Sequence, residues 1–84
     1  MSNSDDVLTQ VRESFRSAFE IDPQLVTLDT SPSDIPGWDS VGHLSLASSL
    51  EQTFGFDLDV DELIEMEDVR AIVRIISAKI PKNA

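Results

Sequence analysis

Apolar residues return along this chain with the period of a helix in three stretches and with the period of a strand in one short stretch. Val7, Leu8, Val11, Phe15, Ala18 and Phe19 trace one face over about four helical turns. Ser4 or Asp5 is suited to cap that helix, and Pro23 to stop it. Residues 20–39 lose the period and gather Pro23, Pro32, Pro36 and many turn formers, which predicts a long loop. A connection of that length is uncommon in a compact domain. Leu25, Val26, Leu28 and Ile35 are therefore expected to turn inward and pin it across the helices. Trp38, just before the next helix, is expected to anchor packing rather than to touch a ligand.

From Ser40 to Thr53 the helical period resumes. Leu46, Ala47, Leu50 and Phe54 make an inward stripe, whereas Val41 and Leu44 fall towards a different edge. Gly42 costs this helix up to about 1 kcal/mol of propensity, and less so near its end. Phe56-Asp57-Leu58-Asp59-Val60-Asp61 alternates apolar and charged residues as a strand does. A lone strand has no partner in this chain, so the stretch reads as an extended loop with Leu58 pointing inward. A short helix is expected from Asp61 to Glu65, with Leu63 and Met66 tucked in. Glu67-Asp68 suits the N-terminal dipole end of a last helix, whose buried face is Val69, Ile72, Val73, Ile76 and Ile80. Lys79 and Lys82 suit its C-terminus and Pro81 ends it. The pattern predicts an all-α fold, a bundle of three main helices and one short one, in a single domain over 1–84 with residues 1–4 and 82–84 frayed.

Composition narrows the function. A chain of 84 residues buries about 60–65% of its unfolded surface, and without cysteine it has neither disulfides nor a Cys-ligated metal to staple it. The formal charge of −10 argues against nucleic acid, whose phosphates it would repel, and points to basic partners. Between Arg16 and Arg70 stand thirteen acids and no Lys or Arg. No apolar run approaches a membrane span, and Asp5 and Asp6 occupy the place of the basic start of a signal peptide. A cytoplasmic monomer is expected. The acids at 57, 59 and 61 imitate a calcium loop, but Glu62 stands where glycine is required and Asp68 replaces the closing glutamate, so no metal site is expected.

The remaining chemistry gathers at Gly37-Trp38-Asp39-Ser40-Val41-Gly42-His43-Leu44. Pro36-Gly37 is turn punctuation, and Asp39 and Ser40 are both good helix N-caps. Ser40 is thereby set on the first turn of a helix at the end of a long loop, where another enzyme can reach it. Ser40 and His43 are neighbours on that helix. A catalytic dyad is not expected, because Trp38 stands where a nucleophile elbow has glycine and no strand precedes the serine.

Asp39-Ser40-Val41 followed by Leu44, Leu46, Leu50-Glu51 and Phe54-Gly55-Phe56 resembles the Asp-Ser-Leu signature and second helix of acyl carrier proteins. Asp34-Ile35-Pro36-Gly37-Trp38 is similar to the loop before it, and the likeness extends from Val7 to Ile80. The resemblance implies a four-helix carrier fold with 4′-phosphopantetheine on Ser40. A phosphopantetheinyl transferase would attach it from coenzyme A with magnesium, and the loaded chain would serve acyl-loading, synthase and transfer enzymes with basic docking patches. It implies that Asp39 assists modification. Recognition is then expected at Asp39, Val41, Leu44 and Glu51. Gly42, Ser45 and Gln52 stand where the family commonly has acids, which favours a dedicated partner in a specialised acyl pathway over ordinary fatty-acid elongation. A peptidyl or aminoacyl carrier domain of a synthase and an unmodified acidic interaction module are the alternatives.

Overall fold

The computed structural model describes residues 3–80, with side chains from Asp6 onward. Helix α1 spans Asn3–Phe19, α2 Ser40–Phe54, α3 Val60–Glu65 and α4 Val69–Lys79, with single 3₁₀ turns at Pro23–Leu25 and Pro32–Asp34. No strand occurs among the described residues. The chain is all-helical, with three main helices and one short one.

Helix α1 packs against both α2 and α4, and α3 lies against α4. The apolar stripes meet in one core. Val7, Val11 and Phe15 come from α1, Leu46, Ala47 and Leu50 from α2, and Val69, Ile72, Val73, Ile75 and Ile76 from α4. Ile75 adds a residue to the stripe expected of α4, and Ile80 is only half-buried. The start of α1 differs from expectation, since Ser4 and Asp5 lie inside the helix rather than ahead of it. Its end comes at Glu20, whose left-handed φ of 55° turns the chain while its N–H still bonds to the Arg16 carbonyl. Asn3 and Ser4 are helical; the fraying expected at residues 1–2 and 82–84, and the stop expected from Pro81, lie outside the described residues.

The long loop is pinned as expected at Val26 and Ile35, both buried, and partly at Leu28. Leu25 is the exception, at 65% exposed. Leu25 closes the 3₁₀ turn and the chain becomes extended only at Val26. Val26 takes the core and Leu25 is left facing out. Arg12 adds a polar pin by donating from Nε to the Val26 carbonyl at 2.7 Å. The alternating stretch after α2 stays unpaired, with Leu58 buried as expected. The Glu51 carboxylate accepts the Leu58 N–H at 2.8 Å, satisfying a backbone donor that a sheet would otherwise take.

Candidate functional site

The segment before Ser40 is built to hold one helix start in one place. Trp38 is 5% exposed and meets Phe15 edge-on, ring centroids 5.0 Å apart at 83°. Next to it, Asp39 is the N-cap of α2, its Oδ1 accepting the Gly42 N–H at 2.8 Å. Ser40 is the first helical residue and is exposed. The cap is therefore Asp39, and the Ser40 side chain is left out of that duty.

Gly42 fixes the geometry from the other side. A Cβ at this position would lie 1.8 Å from the Gly37 carbonyl oxygen and 3.0 Å from a Phe19 ring carbon. The first turn of α2 thus crosses the Pro36-Gly37 turn in backbone contact, and Gly37 itself holds a φ of 90° open chiefly to glycine. Sequence reasoning treated Gly42 as a propensity cost and missed this contact. The available signal was a pair of glycines flanking the cap.

Ser40 opens on a groove of about 500 Å³ between the start of α2 and α3. Trp38, His43 and Leu44 wall one side, and Val60, Leu63, Ile64 and Met66 the other, with Pro32 contributing from the loop. Leu44, Val60 and Ile64 in this lining are 62–69% exposed, and Val41, next to Ser40 in the chain, is 74% exposed. The lining is apolar except at Asp39, Ser40 and His43.

His43 does not serve Ser40. The indole Nε1 of Trp38 donates to His43 Nδ1 at 2.8 Å, and His43 Nε2 lies 2.8 Å from the Leu63 carbonyl. An indole nitrogen can only donate, so Nδ1 is the acceptor and Nε2 carries the proton given to Leu63. The two rings are nearly parallel at 17°, with centroids 6.1 Å apart, the disposition of an in-plane bond rather than a face-to-face stack. Both nitrogens being engaged, the imidazole is not placed to take a proton from the serine.

The acids are deployed differently from a plain charged face. Of the thirteen between residues 17 and 69, seven accept backbone N–H bonds: Asp22, Asp34, Asp39, Glu51, Asp59, Glu62 and Asp68. Asp59 and Glu62 form a reciprocal capping box at α3, and Asp68 caps α4. Glu62 also pairs with Lys79, both oxygens within 3.0 Å of Nζ, and Lys79 sits over the Phe56 ring. The Asp59 N–H, then the Lys79 ammonium, hold the Glu62 carboxyl below the ordinary carboxylate range. Among the described residues, no three His, Asp or Glu side chains converge on a metal position.

The expected site residues thus divide. Asp39, Ser40 and Leu44 line the groove, Val41 stands exposed beside them, and Glu51 lies at the far end of α2 with its carboxylate bound to the loop. No helix among the described residues is long and apolar enough to cross a membrane. In comparison with known proteins, the family model described as phosphopantetheine attachment site matches residues 9–76. No curated protein matches the chain.

Proposed function

The chain belongs to the phosphopantetheine attachment site family, and from that premise we propose that it is an acyl carrier protein whose prosthetic arm is joined to Ser40. Its cofactor is 4′-phosphopantetheine, held covalently on a serine. The observation that carries the assignment to Ser40 is a coincidence at one residue: an exposed serine, an Asp-capped helix start and the mouth of an apolar groove. Ser40 is the only serine among the residues lining that groove.

The residues fit the group. An exposed hydroxyl on a first helical turn is within reach of a transferase, and its backbone is held by the Asp39 cap and by the Gly37–Gly42 contact. When bound, the group supplies a terminal thiol on a long flexible tether, the thiol that a chain without cysteine lacks. Tethering raises the effective concentration of one cargo at several partner sites. The part of this chain is to orient the attachment point and to offer Trp38, Leu44, Leu63, Ile64 and Met66 as an apolar wall that excludes water from one side of the cargo. Val41 and Leu44 form the edge that partner enzymes meet.

The partners are a phosphopantetheinyl transferase and enzymes that load, extend or remove acyl groups through basic patches. The acid-poor α2 supports a dedicated partner in a specialised acyl pathway: Gly42, Ser45 and Gln52 carry no charge, and Glu51 is tied to Leu58. Intact-mass analysis after incubation with coenzyme A, magnesium and a broad-specificity transferase tests the reading. One phosphopantetheine is expected on the parent chain and none on Ser40→Ala. Unchanged mass across several transferases, or labelling that survives the substitution, would sink it.

A further inference from the structure

We propose that His43 is a positioning residue that latches α3 against the start of α2 and so sets how readily the groove beside Ser40 opens. Helix α3 has six residues, too few to persist without tertiary support. Its apolar support is thin: Met66, just past its end, is buried, Leu63 is half-buried, and Val60 and Ile64 face out at 68% and 69% exposure. Two polar ties do the rest. On the α4 side Lys79 grips Glu62. On the groove side His43 holds the Leu63 carbonyl while its other nitrogen is held by Trp38.

Among the described residues no other hydrogen bond joins α2 to α3. Trp38, His43 and Leu63 all line the groove, so the bridge runs from one wall to the other. Trp38 is buried against Phe15, and this gives the imidazole a fixed mount. Moving α3 outward to widen the groove breaks the His43–Leu63 bond first. The bridge needs an acceptor at one end and a donor at the other, which a neutral imidazole supplies and a phenyl ring does not. A glutamine amide supplies both as well.

This inference deepens the carrier reading by naming what governs access to the groove. Its test uses the apo chain and no cofactor, so the latch can fail while Ser40 still takes its arm, and the reverse. The chain has one histidine and one tryptophan, so the imidazole nitrogens and the indole N–H each give a single set of NMR signals. In the parent chain the Nε2-protonated tautomer is expected. In His43→Phe, amide exchange over residues 60–66 is expected to quicken about tenfold, the scale of one or two ordinary hydrogen bonds, with the Trp38 indole N–H losing its protection. Amides of α1 and α4 should hold within about twofold, since sub-global opening leaves the rest protected. His43→Gln should restore most of the protection. An Nδ1-protonated imidazole in the parent chain overturns the latch. So does unchanged exchange in His43→Phe, equal loosening by glutamine and phenylalanine, or loosening spread over all helices.

Discussion

Gly42→Ala separates two opposed expectations, because helix propensity and packing predict opposite signs. Propensity favours alanine within a helix by up to about 1 kcal/mol, and by less in a first turn. The fold says otherwise. The added Cβ meets the Gly37 carbonyl oxygen at 1.8 Å, where ordinary contact begins at 3.4 Å, so the two backbones must part by 3.4 − 1.8 = 1.6 Å. The two nearest atoms belong to the Gly37 backbone, which cannot swing away as a side chain does, and Gly37 sits at positive φ between Pro36 and the buried Trp38. Overpacking of this kind costs about 1–3 kcal/mol. Set against the propensity gain, a net loss of about 1–2 kcal/mol is expected, which lowers Tm by about 4–8 °C per kcal/mol in a domain of this size. Urea unfolding followed by helical circular dichroism and by Trp38 emission measures it. Because the displacement falls on the turn that carries Asp39, modification of Ser40 should slow as well. Gly55→Ala is the control: Gly55 holds a positive φ of 78°, which Gly42 does not, and nothing lies within 4 Å of its Cβ. It should cost stability, about 1 kcal/mol, without touching modification. Equal or higher stability for Gly42→Ala would refute the backbone contact as the reason for glycine there.

Three further outcomes follow from the same geometry. Because the folded Glu62 carboxyl is held below its unfolded value, its contribution is present above that unfolded value and lost as pH falls through the folded one; Glu62→Gln should therefore flatten the acid limb of stability against pH, and parallel curves for the two proteins would exclude it. Leu44→Ala should weaken transfer to the cognate enzyme by about 1 kcal/mol or more, the scale of an apolar anchor, whereas Asp59→Asn, which keeps a good cap at α3, should alter mainly association rate and its salt dependence; a silent Leu44→Ala beside a crippling Asp59→Asn would move the interface to the acidic loop. Moderate salt or millimolar magnesium should raise the melting temperature by screening thirteen acids that face no interleaved base in sequence, and a flat thermal scan would mean they are too dispersed to repel.

The helices were legible because each buries one stripe, and stripes such as Val7-Val11-Phe15 or Val69-Ile72-Val73-Ile76 declare themselves by spacing. The start of α2 was legible too, since Asp39 is a strong cap and Pro36-Gly37 a strong turn. What escaped depends on residues distant in sequence or on backbone. No spacing tells that Gly42 will lie on Gly37, and a propensity scale assigns that glycine the wrong sign. His43 read as a neighbour of Ser40 because both are on one helix, whereas its partners are an indole before the helix and a carbonyl 20 residues later. Leu25 was expected inside on hydrophobicity alone, but it closes a 3₁₀ turn, and the next residue, Val26, takes the core instead. Glu51 was expected at the recognition face because nothing local reveals that the loop after α2 leaves the Leu58 N–H in need of an acceptor.

That so many carboxylates hold backbone amides changes what a mutational survey of this surface can measure. Reversing Asp22, Asp34, Asp39, Glu51, Asp59, Glu62 or Asp68 to lysine removes a helix or loop fastening together with a charge, and a lost partner would then report on a frayed end. Asp57 and Glu65 carry no such fastening among the described residues and stand at no helix start, unlike Asp61 and Glu67. Asp57 and Glu65 are the positions at which affinity for one enzyme over another can drift, or be engineered, while the scaffold stays indifferent to the change.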